Sequence, residues 1–199
     1  MLFRSDSIIK YDENYPPPQS LNKRYRIVES SPWSPGDAPI AYFNGWLHDT
    51  TSDEYSFIDI FTSAYGGNGD ICKFIDDSRF YRIDFPGPAS IYNIIESKPQ
   101  PAFTLQGEAI AITYSSSHRQ YYVLELGEKA ADLAIWDENG ELISRHSTSI
   151  PITNHFEGIY KPDISVSGNT LHYESPDLDG WVEGTLDLTT FEFIQIAKE

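Results

Sequence analysis

The stretch DLAIWDENGELISRHS, residues 132–147, contains two runs of β-forming residues on either side of a polar turn. The turn ends in Asn139-Gly140, a strong short-range signal for a β-hairpin. A short helix over Gly127–Ile135 is the alternative, because Ala130, Leu133 and Ala134 fit a helical stripe. Strict alternation fits the same residues equally well, so we predict an antiparallel hairpin.

Similar segments recur along the whole chain between Gly, Pro, Asn and Asp residues. In 108–115, for example, Ile110, Ile112 and Tyr114 share one face of a half-buried strand. We predict strands near 24–28, 39–47, 55–62, 80–85, 91–95, 103–105, 108–115, 120–126, 132–137, 141–147, 164–167, 170–174, 181–188 and 191–197. The predicted fold class is all-β, an antiparallel β-sandwich or barrel, with a propeller-like array of four-stranded units as the alternative.

The length of 199 residues and an apolar content of 40% predict one well-buried domain over residues 1–199. The proline-rich segments 15–19 and 31–39 cannot form central strands, because proline lacks the N–H group that donates to a neighbouring strand. We expect them to be surface loops. No run approaches the roughly 18 apolar residues of a membrane span, the N-terminus does not resemble a signal peptide, and Cys72 is a lone cysteine. These features predict a cytoplasmic protein.

Two parts of the C-terminal half have a similar order of strands. Residues 108–147 give three strands, of which the third ends in Trp136-Asp137, then a tight turn and a fourth strand. Residues 164–197 give four shorter strands. This pattern resembles the four-stranded blades of β-propellers, in which a Trp-Asp pair commonly ends the third strand. The Gly-His part of the repeat signature is missing, and the first hundred residues show no such period.

Acidic residues exceed basic ones by thirty to fourteen, a net charge of −16, which disfavours nucleic acid and anionic membranes as partners. Residues 1–100 carry nine basic and fourteen acidic side chains (−5), whereas 101–199 carry five and sixteen (−11). This acidity either serves solubility alone or steers a basic protein partner towards the chain. Between Lys161 and Lys198 there is no Lys or Arg but seven carboxylates: Asp163, Glu174, Asp177, Asp179, Glu183, Asp187 and Glu192.

The motifs that could support catalysis or phosphate binding are weak. Ser115-Ser116-Ser117-His118 places hydroxyls beside an imidazole, but triad members meet through the fold rather than as sequence neighbours. Residues 66–70 are rich in glycine but match neither nucleotide-loop pattern, and their aspartate would repel phosphate. Cys72 is interpreted as small apolar filler. We therefore predict no catalytic residue and no cofactor.

Four residues near the C-terminus could in principle hold a metal ion. His172 and Glu174 would face the same way on one strand, and Asp177 and Asp179 follow. A calcium loop needs a further side-chain ligand and a closing glutamate at set spacing, and zinc usually needs more His or Cys. We interpret this segment as an acidic hairpin turn and predict no metal site.

The segment 181–188 predicts an interface. Its alternation places Val182 and Leu186 on one face, and Trp181, Glu183 and Asp187 on the other. If the aliphatic face is buried, Trp181 is an exposed anchor among carboxylates, which would favour a basic partner. If the sheet is covered on both faces, Trp181 belongs to the core. The residues predicted to bind the partner are Trp181, Glu183, Asp187, Asp177 and Asp179.

These features favour a non-enzymatic binding protein. In size, acidity and lack of catalytic motifs the chain is similar to bacterial immunity proteins, which implies occlusion of a toxin, often a basic nuclease. Thirteen Tyr and four Trp leave open a carbohydrate-binding or carbohydrate-active domain. A structural or accessory domain of an assembly is the third alternative. The oligomeric state is left open.

Overall fold

The computed structural model describes residues 17–29, 40–64, 71–155, 158–159, 161–177 and 180–196. These residues form strands and no helix, which confirms the all-β prediction. The predicted segments 31–39 and 66–70 lie outside the described residues. The strands are β1 (Tyr25–Glu29), β2 (Ile40–Asp49), β3 (Glu54–Ala64), β4 (Ile71–Phe74), β5 (Arg79–Ile83), β6 (Gly87–Ile95), β7 (Lys98–Ser115), β8 (Gln120–Glu125), β9 (Asp132–Asp137), β10 (Leu142–Ser147), β11 (Asn154–His155), β12 (Gly158–Ile159), β13 (Asp163–Ser167), β14 (Thr170–Asp177), β15 (Gly180–Asp187) and β16 (Phe193–Ile196).

The described strands form four sheets, in which neighbours in the chain are also neighbours in space. The orders are β1-β2-β3, β10-β9-β8-β7-β6-β5-β4, β11-β12 and β13-β14-β15-β16. Pairs such as β8–β9 and β14–β15 are antiparallel. None of the described strands closes a sheet into a barrel, so the β-sandwich and the propeller-like array remain as alternatives.

The chain divides into two compact units. The first comprises residues 1–65, 69–84 and 90–103, and the second comprises residues 66–68, 85–89 and 104–199. The prediction of a single domain over residues 1–199 stays a prediction. None of the described residues forms a helix long and apolar enough to cross a membrane.

In the first unit, a hydrophobic core forms where alternate residues of several strands point inward. Cys72 and Phe74 of β4 pack against this core, which agrees with the interpretation of Cys72 as apolar filler. Pro17 to Gln19 lie beside β1, where Pro18 accepts a backbone hydrogen bond from Ile27. The buried members of the core are Tyr25, Ile27, Leu47, Phe61, Phe80 and Tyr92.

In the second unit, the predicted hairpin of residues 132–147 is confirmed as β9 and β10. The Asp137 carboxylate accepts the backbone N–H groups of Asn139 and Glu141, at 2.9 and 2.8 Å, and thereby fixes the turn. Gly140 has φ 84°, a conformation that glycine adopts without steric cost. The next residues on β10 carry exposed apolar side chains, as at Ile143.

The second predicted four-stranded unit, residues 164–197, is confirmed as the separate sheet β13-β14-β15-β16. Leu171, Tyr173 and Leu186 are buried on its inner face. Gly184 lies on the same face, and a Cβ atom there would overlap the ring of Phe193, which meets Tyr173 edge to face. Glycine at this position therefore lets β16 fold its aromatic ring over β15.

Candidate functional site

The sheet β13–β16 has one buried face and one face that points to solvent. Residues that pair across antiparallel strands project from the same face. We call the solvent side of this sheet the acidic face. Its register gives two rows across the strands, Asp163–Glu174–Glu183–Ile196 and Ser165–His172–Thr185–Ile194, with Trp181 beyond the first row on β15.

Trp181 is on the exposed side of β15. Its side chain is 52% exposed, whereas Val182 is 9% and Leu186 is 0% exposed. The alternation of this segment therefore follows the prediction, and the interpretation of Trp181 as an exposed aromatic holds over the alternative that it belongs to the core. Aromatic side chains of this size normally lie at least partly in a core or an interface.

A row of carboxylates crosses three neighbouring strands of the acidic face. Glu174 lies directly opposite Glu183 on β15, and Asp163 lies directly opposite Glu174 on the other side. Like charges that lie directly opposite each other destabilise a sheet. Among the described residues, neither Glu174 nor Glu183 has a basic side chain within salt-bridge distance. Within the described part of the chain, the Glu174–Glu183 pair therefore adds no attractive ion pair to the sheet.

A shallow trough of about 380 Å³ lies on this face. Its lining includes Asp163, Glu174 and Glu183 from the first row, and Ser165 and His172 from the second. Three carboxylates and one histidine are among its described lining residues, and neither lysine nor arginine is.

Of the other residues that were predicted to bind the partner, Asp187 lies far from Trp181 and Asp177 lies near it. Asp187 ends β15, about 20 Å along the strand from Trp181. Its carboxylate accepts hydrogen bonds from the backbone N–H groups of Thr189 and Thr190. These hydrogen bonds lower the pKa of Asp187, and the one from Thr190 has the largest effect. Asp187 thus shapes the β15–β16 turn. Asp177 pairs with Gly180 at the end of β14 nearest Trp181. Asp179 lies outside the described residues.

The weaker sequence motifs occupy ordinary structural positions. His118 bonds through Nδ1 to the Tyr122 hydroxyl at 2.7 Å, while Ser115 bonds to Ser117 at 3.0 Å, so no serine contacts the imidazole. His172 and Glu174 do project from the same face. Within the described residues, however, no group of three His, Cys, Asp or Glu side chains is placed to hold a metal ion.

Two exposed isoleucines of the acidic face were not identified from the sequence. Ile194 is 68% exposed and Ile196 is 51% exposed, and they flank Thr185 and Glu183 on β15. The segment 191–197 was predicted to be a strand, and two apolar residues at alternate positions normally indicate the buried face. Their actual direction follows from Phe193, which occupies the inner side above Gly184.

No family model matches this chain, and no curated protein resembles it in sequence. Solved structures do resemble it in fold. Dihydro-heme d1 dehydrogenase NirN, solved in complex with DHE, superposes with a TM-score of 0.52 at 16% identity. The match covers 89% of this chain and 36% of NirN. AztD from Citrobacter koseri gives 0.49 at 12% identity, covering 96% of this chain and 58% of AztD.

NirN is a β-propeller-like protein. A likeness at this low identity concerns the fold alone. The likeness to NirN agrees with the resemblance of the C-terminal half to propeller blades, and the meander β13–β16 has the four strands of such a blade. The chain spans about a third of NirN and less than two thirds of AztD.

Proposed function

We propose that this chain is a cytoplasmic, non-enzymatic binding protein whose acidic face takes a basic protein partner. The observation that carries the proposal is the exposed Trp181 beside Glu174 and Glu183, two directly paired carboxylates with no salt bridge to a described basic side chain. Large aromatic residues are preferred anchors at protein interfaces, and neighbouring charges select the partner and speed its approach. The finer proposal is an immunity-type inhibitor that occludes a basic toxin such as a nuclease.

Three properties of the acidic face support this proposal. Its aromatic and aliphatic side chains, Trp181, Ile194 and Ile196, are exposed on the same side of one sheet. Its carboxylates face each other at a cost in stability, which is a pattern expected where an external cation offsets the repulsion. The segment from Asp163 to Glu192 contains no Lys or Arg, so a basic partner would meet no like charge there.

The first prediction distinguishes the role of Glu183, which attracts the partner, from that of Trp181, which anchors it. Glu183→Lys should slow association several-fold, because it reverses a charge that attracts the partner. Trp181→Ala should accelerate dissociation by about tenfold or more, because interface anchors act mainly on the off-rate. The partner is captured from a lysate of the native host and identified. Surface plasmon resonance then measures the association and dissociation rates of both variants at two salt concentrations. The Debye length is about 10 Å at 0.1 M salt and about 3 Å at 1 M.

Glu128→Lys is the matched control, because Glu128 is exposed between β8 and β9 and the substitution changes net charge equally. It should slow association less than Glu183→Lys. An acidic partner, or an association rate that is indifferent to salt, would show that the acidity serves solubility alone. Loss of the folded state in Trp181→Ala, seen by circular dichroism, would contradict the exposed position of Trp181. For the inhibitor proposal, the identified partner must be a toxin that loses activity in the complex.

A further inference from the structure

The strand β16 forms one edge of the sheet β13–β16, and its outer side pairs with no described strand. Exposed edges invite pairing with other chains, and natural sheets usually protect them with charged residues or proline. β16 has the sequence Phe193-Ile194-Gln195-Ile196 and lacks such protection. The other edge strands of the three larger sheets each contain a charged residue: Arg26 in β1, Asp59 in β3, Lys73 in β4, Arg145 in β10 and Asp163 in β13.

The hydrogen-bond pattern shows which backbone groups of β16 point outward. The Asp187 N–H donates to the Glu192 carbonyl at 3.1 Å, so these two residues form a hydrogen-bonded pair. Along an antiparallel ladder every second pair is hydrogen-bonded in this way. These pairs are Thr185–Ile194 and Glu183–Ile196. The N–H and C=O groups of Phe193 and Gln195 therefore point away from the sheet, available to a further strand.

We infer that the outer edge of β16 takes an extended, basic segment of the protein partner by strand addition. This inference rests on the proposed function and gives its mode of binding. Backbone hydrogen bonds to Phe193 and Gln195 would hold the segment, as in other cases of strand addition. Lysine or arginine stems would lie over Ile194 and Ile196. Their charged ends would extend towards Glu183 on β15, which is two strand spacings, about 9.6 Å, from the added strand.

The charge of the face argues for this occupant over a second copy of the chain. Antiparallel pairing of two β16 edges would place both acidic faces on the same side of one continuous sheet. Each copy has a net charge of −16, so their carboxylate rows would repel each other. A basic segment meets the same carboxylates with opposite charge.

The test uses a fluorescent octapeptide of alternating lysine and threonine and measures its binding by anisotropy. Gln195→Pro removes one outward N–H and leaves the hydrogen bonds to β15, and proline is tolerated at edge positions of this kind. We expect Gln195→Pro to weaken peptide binding by about tenfold or more, and Gln195→Ala, which keeps the N–H, to bind as the wild type does. A glutamate–threonine octapeptide should not bind.

If the lysine peptide binds Gln195→Pro as tightly as wild type, strand addition is wrong. The proposed function does not fall with it, because the Trp181 and Glu183 variants test the acidic face separately. Equal binding of the glutamate peptide would overturn both proposals. If Gln195→Pro does not fold, two N-methylated versions of the lysine peptide are tested on the wild-type protein instead. One is methylated at its odd-numbered residues and the other at its even-numbered residues. Strand addition requires that one of them bind more weakly than the unmethylated peptide. A wild-type dimer in size-exclusion chromatography that Gln195→Pro dissociates would assign the edge to a second copy instead.

Discussion

At the scale of single residues, Asp49 at the end of β2 holds the start of β1 to the β2–β3 turn. Its side chain is 1% exposed and accepts hydrogen bonds from the Arg24 guanidinium, the Ser97 hydroxyl at 2.7 Å and the Thr51 N–H at 2.9 Å. The Arg24 bonds, followed by those of Ser97 and Thr51, lower the pKa of Asp49 well below its usual range and outweigh the opposing effect of burial. A buried carboxylate with this many donors stabilises the first unit in its ionised form.

This arrangement predicts how stability depends on pH. The folded pKa of Asp49 lies below its unfolded value of about 3.9, so its contribution is complete above roughly pH 5 and is lost as the pH falls towards the folded pKa. Asp49→Asn should lower the free energy of unfolding at pH 7 by about 2 kcal/mol. Urea titrations of both proteins from pH 7 to pH 3 should show this difference narrowing below about pH 4. A difference that stays constant with pH would contradict the role of the ionised group.

At the scale of strands, the sequence predicted most strands but not where each one begins and ends. Residues 103–105 and 108–115 were predicted as two strands, whereas β7 runs through both. Gly107, which lies in the gap between the two predicted strands, has φ 145°, and a Cβ there would overlap the Glu125 carboxylate, which pairs with Arg145. Glycine is needed here because the Glu125 side chain, distant in sequence, packs against its backbone. The local sequence gives no information about such a contact. β4 was missed because four residues are too few to show alternation.

The candidate site was predictable to a similar extent. Alternation in 181–188 identified the exposed side of β15, since that depends only on the period of a strand. The pairing of Glu174 with Glu183 depends on the register between β14 and β15, which the length and type of the intervening turn determine. Asp187 was nominated for partner binding because of its face, but its hydrogen bonds to Thr189 and Thr190 are a local turn interaction.

The carboxylate row predicts opposite effects of one substitution on stability and on binding. Glu174→Gln removes the repulsion with both Asp163 and Glu183, so it should raise the free energy of unfolding by about 0.5 kcal/mol, measured by urea titration. The same change should slow association with the basic partner. Glu128→Gln, which removes an exposed carboxylate away from this row, is the control and should change stability less. A destabilised Glu174→Gln would show that Glu174 has a structural role in the sheet.

At the scale of the whole molecule, the excess of thirty acidic over fourteen basic residues sets a balance between solubility and stability. Even if each Lys and Arg neutralised one carboxylate, sixteen negative charges would remain. Mutual repulsion of this kind keeps a protein soluble and monomeric but destabilises its compact state. Attractive ion pairs such as Arg82 with Asp59 oppose it, but they are fewer than the unmatched acidic groups.

The last prediction follows from this balance. Salt screens repulsion between exposed carboxylates more than it weakens the bond of the buried Asp49 carboxylate to Arg24, so sodium chloride should raise the thermal midpoint of the isolated protein between about 0.02 M and 0.5 M. Over the same range, association with the basic partner should slow, because screening removes the long-range attraction. Differential scanning fluorimetry measures the midpoint, and Glu183→Lys, which reduces the repulsion at one position of the row, should show a smaller rise. A midpoint that falls as salt is added would mean that attractive ion pairs, rather than carboxylate repulsion, dominate the charge interactions of the folded chain.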